Sequence, residues 1–256
     1  MAKEKSSQSA QSIYDKVMYI LHNHHSVDEL STEQIDLLKN FEGKGGLQID
    51  ERGILDQYFT PIEICQKMWQ IAERNGFNPD KGLVLEPSAG NGRFIETKPP
   101  TTKIIAFEID EQIFKVLKFL YGSRTDVTLY NQYFETAFLQ PDRYVSKLNG
   151  DKSWLPQFDL IIGNPPYGKH KNKYSSYFPK YSQVEIFFIQ KGLELLKPNG
   201  LLVYITASNF LRNGVTYNAA KEEMEKIATF VEAYRMPNKL FGNTDVGTDI
   251  LVYRKK

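Results

Sequence analysis

The chain has little cysteine: Cys65 is the only one in 256 residues. That excludes a disulfide framework within the chain and any Cys-based zinc cluster. Long apolar runs are also missing, since nothing approaches the roughly 20 consecutive residues needed to span a bilayer. The start, Met1-Ala2-Lys3-Glu4-Lys5-Ser6-Ser7-Gln8, is polar and lacks the apolar centre of a signal peptide. Charge of one sign is missing as well. Lys and Arg number 32 against 31 Asp and Glu, a net charge of +1, so global charge is no argument for a polyanionic partner. What remains is the expectation of a cytoplasmic protein with no membrane partner. Its 41% hydrophobic and 25% charged residues suit one α/β domain of ordinary size with a helical extension.

Residues 1–10 read as a disordered tail. Apolar residues then recur at helical spacing from about Ser12 to His22 and from about Thr32 to Phe41. Gly43-Lys44-Gly45-Gly46 breaks that pattern, and Thr60-Pro61 opens a further helix with Pro at its first position. From Gly82 strands and helices alternate. Strands are expected at Leu83–Leu85, Lys103–Phe107, Val127–Tyr130, Phe158–Ile162, Leu201–Ile205, Thr229–Tyr234 and Thr248–Tyr253. Helices fall around Ile113–Leu120, at Ile186–Leu196 ending on Pro198-Asn199-Gly200, and at Ala219–Ile227; residues 132–156 are less regular. Strands alternating with helices, most of them nearly continuous apolar runs, predict a mainly parallel sheet covered on both faces. The expected division is a tail and helical extension over 1–56 and a catalytic domain over 57–256.

Two strand ends carry chemistry. Phe158–Gly163 runs into Asn164-Pro165-Pro166-Tyr167. Asn offers an amide oxygen that accepts from an NH2 group, the prolines stiffen the loop and leave a carbonyl without competition from a donor, and Tyr offers a flat face for stacking. The set suits a planar nitrogen nucleophile. The other end is Leu83-Val84-Leu85-Glu86-Pro87-Ser88-Ala89-Gly90-Asn91-Gly92, a strand followed by a small-residue turn where a ligand approaches the backbone closely. About 20 residues further on, the next strand ends in Glu108, placed to bind the two hydroxyls of a ribose. Beyond Tyr167, Lys169, His170, Lys171, Lys173 and Lys180 are interleaved with Tyr174, Tyr177, Phe178 and Tyr181, with no acid at positions 168–184. Basic and aromatic residues so mixed suit a nucleic-acid backbone and its unstacked bases. His22, His24 and His25 read as a helix end rather than as metal ligands, and no metal is expected.

Taken together these motifs resemble S-adenosylmethionine-dependent DNA adenine-N6 methyltransferases of the gamma-type order, with cofactor motifs before the catalytic one. Tyr58-Phe59-Thr60-Pro61 is similar to that family's leading Phe-Thr-Pro segment. Glu86, Pro87, Ala89, Gly90 and Gly92 match its cofactor turn, Glu108 its acidic strand end, and Asn164–Tyr167 its catalytic motif. The stretch Phe241–Val252 resembles its closing hairpin, with Phe241 as the aromatic against the flipped base. The resemblance implies a Rossmann-like class I methyltransferase fold with a seven-stranded, mainly parallel sheet, helices on both faces and a C-terminal antiparallel hairpin. It implies Phe59, Thr60, Pro61, Glu86, Pro87, Ala89, Gly90, Gly92, Glu108 and Asn164 as cofactor residues, and Asn164, Pro165, Pro166 and Tyr167 as catalytic ones. Tyr167, Lys169, Lys171, Lys173 and Phe241 are implied on the substrate. One departure stands out: the family's Asp-Phe after the third strand is replaced by Tyr130-Asn131-Gln132-Tyr133-Phe134. Asn131 or Gln132 is then the candidate acceptor for the cofactor's adenine amino group.

The implied activity is transfer of a methyl group to N6 of an adenine flipped out of a DNA duplex, as in restriction–modification systems. The same Asn-Pro-Pro-Tyr chemistry also serves methylation of a glutamine side-chain amide in proteins and of base amino groups in ribosomal RNA. A subunit that only binds cofactor and DNA is the reading from a different class. Family members usually continue past the last hairpin into a domain that reads the DNA sequence, whereas here Arg254, Lys255 and Lys256 follow it. Target choice is therefore expected in the N-terminal helices, in the Lys169–Tyr181 loop, or in a separate specificity subunit or domain.

Overall fold

The computed structural model describes residues 2–43, 47–48, 54–55, 59–134, 157–166, 183–212, 214–237 and 247–256. Seven strands form one sheet: β3 (Leu83–Glu86), β4 (Lys103–Phe107), β5 (Val127–Tyr130), β6 (Phe158–Gly163), β7 (Leu196–Ala207), β8 (Ala228–Arg235) and β9 (Thr248–Lys255). Their order is β5-β4-β3-β6-β7-β9-β8, and the short pair β1 (Leu47–Gln48) and β2 (Ile54–Leu55) stands apart. The first five strands of the order are parallel; β9 runs antiparallel to both neighbours, β7 and β8. From β3 the chain winds outward through β4 to β5, then returns to β6 on the other side of β3 and winds outward to β7. Strand order therefore reverses between β3 and β6, and the crevice beyond the carboxyl ends of the strands at such a reversal is where open α/β sheets bind ligands.

Each face carries its own core. One side buries Val84, Ile104, Ala106, Leu160, Ile162, Val203, Ile205 and Val252 against α3 (Ile62–Arg74), α4 (Arg93–Thr97) and α5 (Glu111–Tyr121). Val17 and Ile20 of α1 (Ala2–Asn23) and Leu38 of α2 (Thr32–Lys39) join that same core. The other side buries Leu85, Ile105, Phe107, Ile161, Leu202, Tyr204 and Leu251 against α6 (Val184–Leu195) and Met224 of α7 (Val215–Ile227). Here Phe134 stacks on Phe188 with ring centroids 5.1 Å apart, and Tyr217 donates to the buried carboxylate of Glu185, 2.7 Å away. Strand residues alternate between the two clusters, as the pleat requires.

Several boundaries differ from the sequence expectation. α1 starts at Ala2 rather than near Ser12: residues 2–11 contain neither Gly nor Pro, and helix propagates backward through Ala, Lys, Glu and Gln from an anchored turn at low cost. Pro61 caps α3 in an extended conformation, φ −56° and ψ 146°, instead of occupying its first turn. α6 passes directly into β7 at Leu196, and Pro198-Asn199-Gly200 lies inside β7 as an irregularity. Phe158 pairs with Leu196 but Leu160 with Leu201, so the intervening residues loop out, helped by the left-handed Asn199 at φ 65°. Of the irregular stretch 132–156, residues 135–156 lie outside the described ones.

Candidate active site

The site is assembled at the β3/β6 reversal. β3 ends in Glu86, and the turn Pro87–Gly92 folds back under it. That turn is pinned by Ala89 N–H donating to the Phe107 carbonyl at 2.8 Å and Gly92 N–H donating to the Ala89 carbonyl at 2.9 Å. Gly90 and Gly92 are left-handed at φ 52° and 80°. At Gly92 a Cβ would also lie 2.6 Å from Leu117 Cδ2 and 2.8 Å from Tyr121 Cε2, so conformation and space both demand glycine. The half-buried Phe59 packs against Gly90, where a Cβ would come within 3.3 Å of the ring.

Two buried carboxylates face this turn. Glu108, one residue beyond β4, accepts from Gly90 N–H and Asp110 N–H, both at 2.7 Å. Burial pushes its pKa up to about 7, against the lowering effect of N–H donation from Asp110, Gly90 and Ile109. Glu86 is 1% exposed. Burial first, then the charge of Glu108, drives its pKa well above the usual carboxylate range. Its Oε2 has no partner among the described residues, and neither has Nδ2 of the buried Asn91. A buried carboxylate oxygen left without a partner is costly and marks a place where a ligand's donor or positive charge belongs.

β6 delivers Asn164-Pro165-Pro166 beside this turn. The Ser88 hydroxyl donates to the Asn164 backbone carbonyl at 3.3 Å, and Phe59, Thr60, Glu86, Ser88, Ala89, Gly90, Asn91, Arg93, Phe94 and Asn164 line one cavity. Pro165 is buried and Pro166 half-buried. At the end of β5, Asn131 Nδ2 donates to the Glu108 carbonyl at 2.8 Å, which leaves its amide oxygen as the end available to a donor; Gln132 beside it is half-buried. The structure thus brings together Phe59, Thr60, Glu86, Ala89, Gly90 and Asn164, with Pro61, Pro87 and Gly92 adjoining them and Glu108 and Asn131 across the turn. Tyr58, Tyr167, Lys169, Lys171, Lys173 and Phe241 lie outside the described residues. Sequence reasoning passed over Ser88 and Arg93. Ser88 stood inside the quoted motif, but its partner is 76 residues away, beyond the reach of any local pattern. The Cys65 thiol beside the site is buried and donates to the Thr60 carbonyl, and burial drives its pKa far up, which disfavours the thiolate.

Strand order, reversal point and ligand turn define a class I S-adenosylmethionine-dependent methyltransferase fold. A Listeria monocytogenes chain described as a class I S-adenosylmethionine-dependent methyltransferase superposes with a TM-score of 0.68 at 14% identity, covering 96% of this chain and 80% of that one. The chain belongs to the Eco57I restriction-modification methylase family, whose sequence profile matches residues 94–241, more than half its length. It is 27% identical over 230 residues to Defense against restriction protein B of Escherichia phage P1, which is 88% of this chain and 9% of that protein. It is also 30% identical over 171 residues to type II methyltransferase M.HincII of Haemophilus influenzae, 61% of this chain and 28% of that one. The chain thus spans less than a third of either relative's length. The cofactor of this fold and family is S-adenosylmethionine, and the residues gathered here suit it: a buried acid with an oxygen lacking a partner among the described residues, a glycine turn, and a second acid at the next strand end. Among the described residues no helix is long and apolar enough to cross a membrane.

Proposed function

We propose that this chain is the catalytic module of a DNA methyltransferase acting on N6 of a flipped adenine. The observation that carries the reading is the juxtaposition of Asn164-Pro165-Pro166 with the Glu86–Gly92 turn, joined by the Ser88–Asn164 hydrogen bond within one cavity. When bound, S-adenosylmethionine supplies a methyl group on a cationic sulfur that departs as a neutral thioether. Glu108 takes the ribose hydroxyls, Glu86 offers its open oxygen to the cofactor's positive end, and the Asn131 amide oxygen accepts from the adenine amino group. Gln132 is its alternative in that role. Phe59, Thr60 and Pro61 form the wall facing the turn.

An exocyclic amine is a poor nucleophile because its lone pair is delocalised into the ring. Asn164 Oδ1 and the Pro165 carbonyl accept hydrogen bonds from its two N–H groups, drawing the nitrogen out of the plane and raising its electron density; one of these protons would pass to solvent once the nitrogen carries the methyl group. That effect is largest in the transition state, where it accelerates the reaction. Pro165 and Pro166 hold both acceptors still, so orientation is set before the base arrives. Tyr167 stacks on the flipped base and Phe241 packs against it, while Lys169, Lys171 and Lys173 meet the DNA backbone. Target choice comes from a separate specificity subunit or domain, or from the segments flanking this module.

Asn164→Ala should abolish methyl transfer and leave S-adenosylmethionine affinity near parental, measured by radiolabelled methyl incorporation and by calorimetry. Substantial residual turnover would remove Asn164 from this role. Offering DNA, RNA and protein pools to the unaltered chain tests the substrate class in the same assay. Label in the protein or RNA pool alone would replace DNA adenine with a glutamine amide or an RNA base.

A further inference from the structure

Arg93 follows the cofactor turn immediately, opens α4 and borders the same cavity, and its side chain holds other segments. Its guanidinium donates to the Thr60 carbonyl at 3.0 Å and to Asn40 Oδ1 at 3.4 Å, and lies 4.0 Å from Glu42 Oε1. One turn on, Glu96 pairs with Lys39 at 2.7 Å. The end of α2 and the residues after it are therefore tied to the first turn of α4. Thr60, 5% exposed, also takes the Cys65 thiol on its carbonyl at 3.8 Å, and its neighbour Phe59 lies on Gly90. A continuous set of contacts runs from α2 through Arg93 to Thr60, and through Phe59 to the left-handed glycine of the cofactor turn. The planar fork of arginine suits this arrangement, since its separate N–H groups donate to acceptors on two segments at once, Thr60 and Asn40, with the Glu42 carboxylate nearby, and a compact ammonium does not span them.

We infer that Arg93 is a positioning residue for the cofactor: it fixes the Phe59–Thr60 wall over the Glu86–Gly92 turn, and the N-terminal helices hold Arg93 in place to do so. The helical extension is then part of what makes the cofactor site rigid before binding, and a pre-formed site binds more tightly because less order must be imposed on it. The inference rests on the assignment of Phe59 and Thr60 to the cofactor wall, so the test separates the two. S-adenosylmethionine affinity is measured by calorimetry on the full chain for Arg93→Met, Arg93→Lys, Asn40→Ala and, as a control on the wall itself, Phe59→Ala. Thermal unfolding without cofactor is followed alongside, and kcat is taken at saturating S-adenosylmethionine.

Phe59→Ala and Arg93→Met should each weaken binding about tenfold, with Arg93→Lys and Asn40→Ala between them and the parent. For Asn40→Ala, which lies outside the cavity lining, turnover at saturating cofactor should stay within about twofold, because the reacting groups on β6 are untouched. Arg93→Lys, which keeps the charge, should lose affinity with its unfolding temperature held, a split that a purely structural role would not produce. If Phe59→Ala weakens binding while both Arg93 variants bind as the parent does, the positioning role is overturned. If Phe59→Ala also binds normally, the wall assignment falls and the inference with it. Should Arg93→Met fail to fold, Arg93→Lys and Asn40→Ala decide alone.

Discussion

Under the proposed cofactor role, Glu108 would tie folding to cofactor binding. Its carboxyl titrates near 7 in the folded chain against an ordinary 4.5. Between those values the native state keeps a proton that the unfolded chain has released. Stability from this group is therefore fully present below about pH 4.5 and is lost as pH rises through about 7, on the order of 3 kcal/mol in all. Glu86 acts in the same direction. Asp126, held far below its ordinary value by Arg124 and then Lys98, changes only in acid well outside this window. Under the proposed roles, a sulfonium beside Glu86 and ribose hydroxyls donating to Glu108 would favour both acids in their ionised form, so cofactor binding would release protons. Unfolding followed at pH 5.5 and 8 should show the free chain losing stability with rising pH while the increment given by S-adenosylmethionine grows. Glu108→Gln, which cannot ionise, should flatten both trends; an unchanged pH response in that variant would remove Glu108 as their source.

At the scale of elements, α5 is the brace between the ligand turn and the N-terminal helices. Its first turn is capped by Asp110, whose Oδ1 accepts from Gln112 N–H at 2.8 Å and Ile113 N–H at 3.1 Å. Its inner face supplies Ile113, Val116, Leu117 and Leu120 to the core shared with Val17 and Leu38. Asp110→Ala should cost about 1 kcal/mol by chemical denaturation and Asp110→Asn much less, since the amide oxygen still caps. Equal losses would show that charge, not capping, is what Asp110 provides. Helices and strands of this kind were legible in the sequence because period and punctuation are local properties: the stripe of α5, the apolar run of β6 and the glycine turn after β3 all stand where expected. What could not be read is what depends on pairing. Asn199 in β7 looks like a helix terminator until Leu160 is seen opposite Leu201. Ser88 and Arg93 looked like filler because Asn164 and Thr60 stand 76 and 33 positions away from them. The family resemblance pointed to Glu86, and strand spacing as well as the resemblance to Glu108, but neither motif nor spacing tells that Glu86 is left with an oxygen lacking a partner among the described residues.

For the molecule as a whole, the near balance of charge bears on how it meets DNA. A net charge of +1 spread over 256 residues gives no long-range attraction worth the name at physiological salt, where fields fade within about 8 Å. Under the proposed function, the phosphate contacts of this chain concentrate in the basic segment after Tyr167. Each phosphate neutralised contributes about −0.9 to the slope of log affinity against log salt. Three lysines, Lys169, Lys171 and Lys173, would then contribute a slope of about −3, far shallower than for a dedicated repressor. Binding to duplex DNA in a gel-shift series should accordingly be weak and fall steadily between 50 and 200 mM salt, within the roughly 10⁻⁴–10⁻⁶ M range of non-specific complexes. Replacing all three lysines by alanine should remove about three units of that slope, while calorimetry shows S-adenosylmethionine binding unchanged, because none of the three is assigned to the cofactor. Tight binding that ignores salt would mean that this chain reads bases directly, and the search for its specificity determinant would then move from a separate subunit to the helices and loops of the module itself.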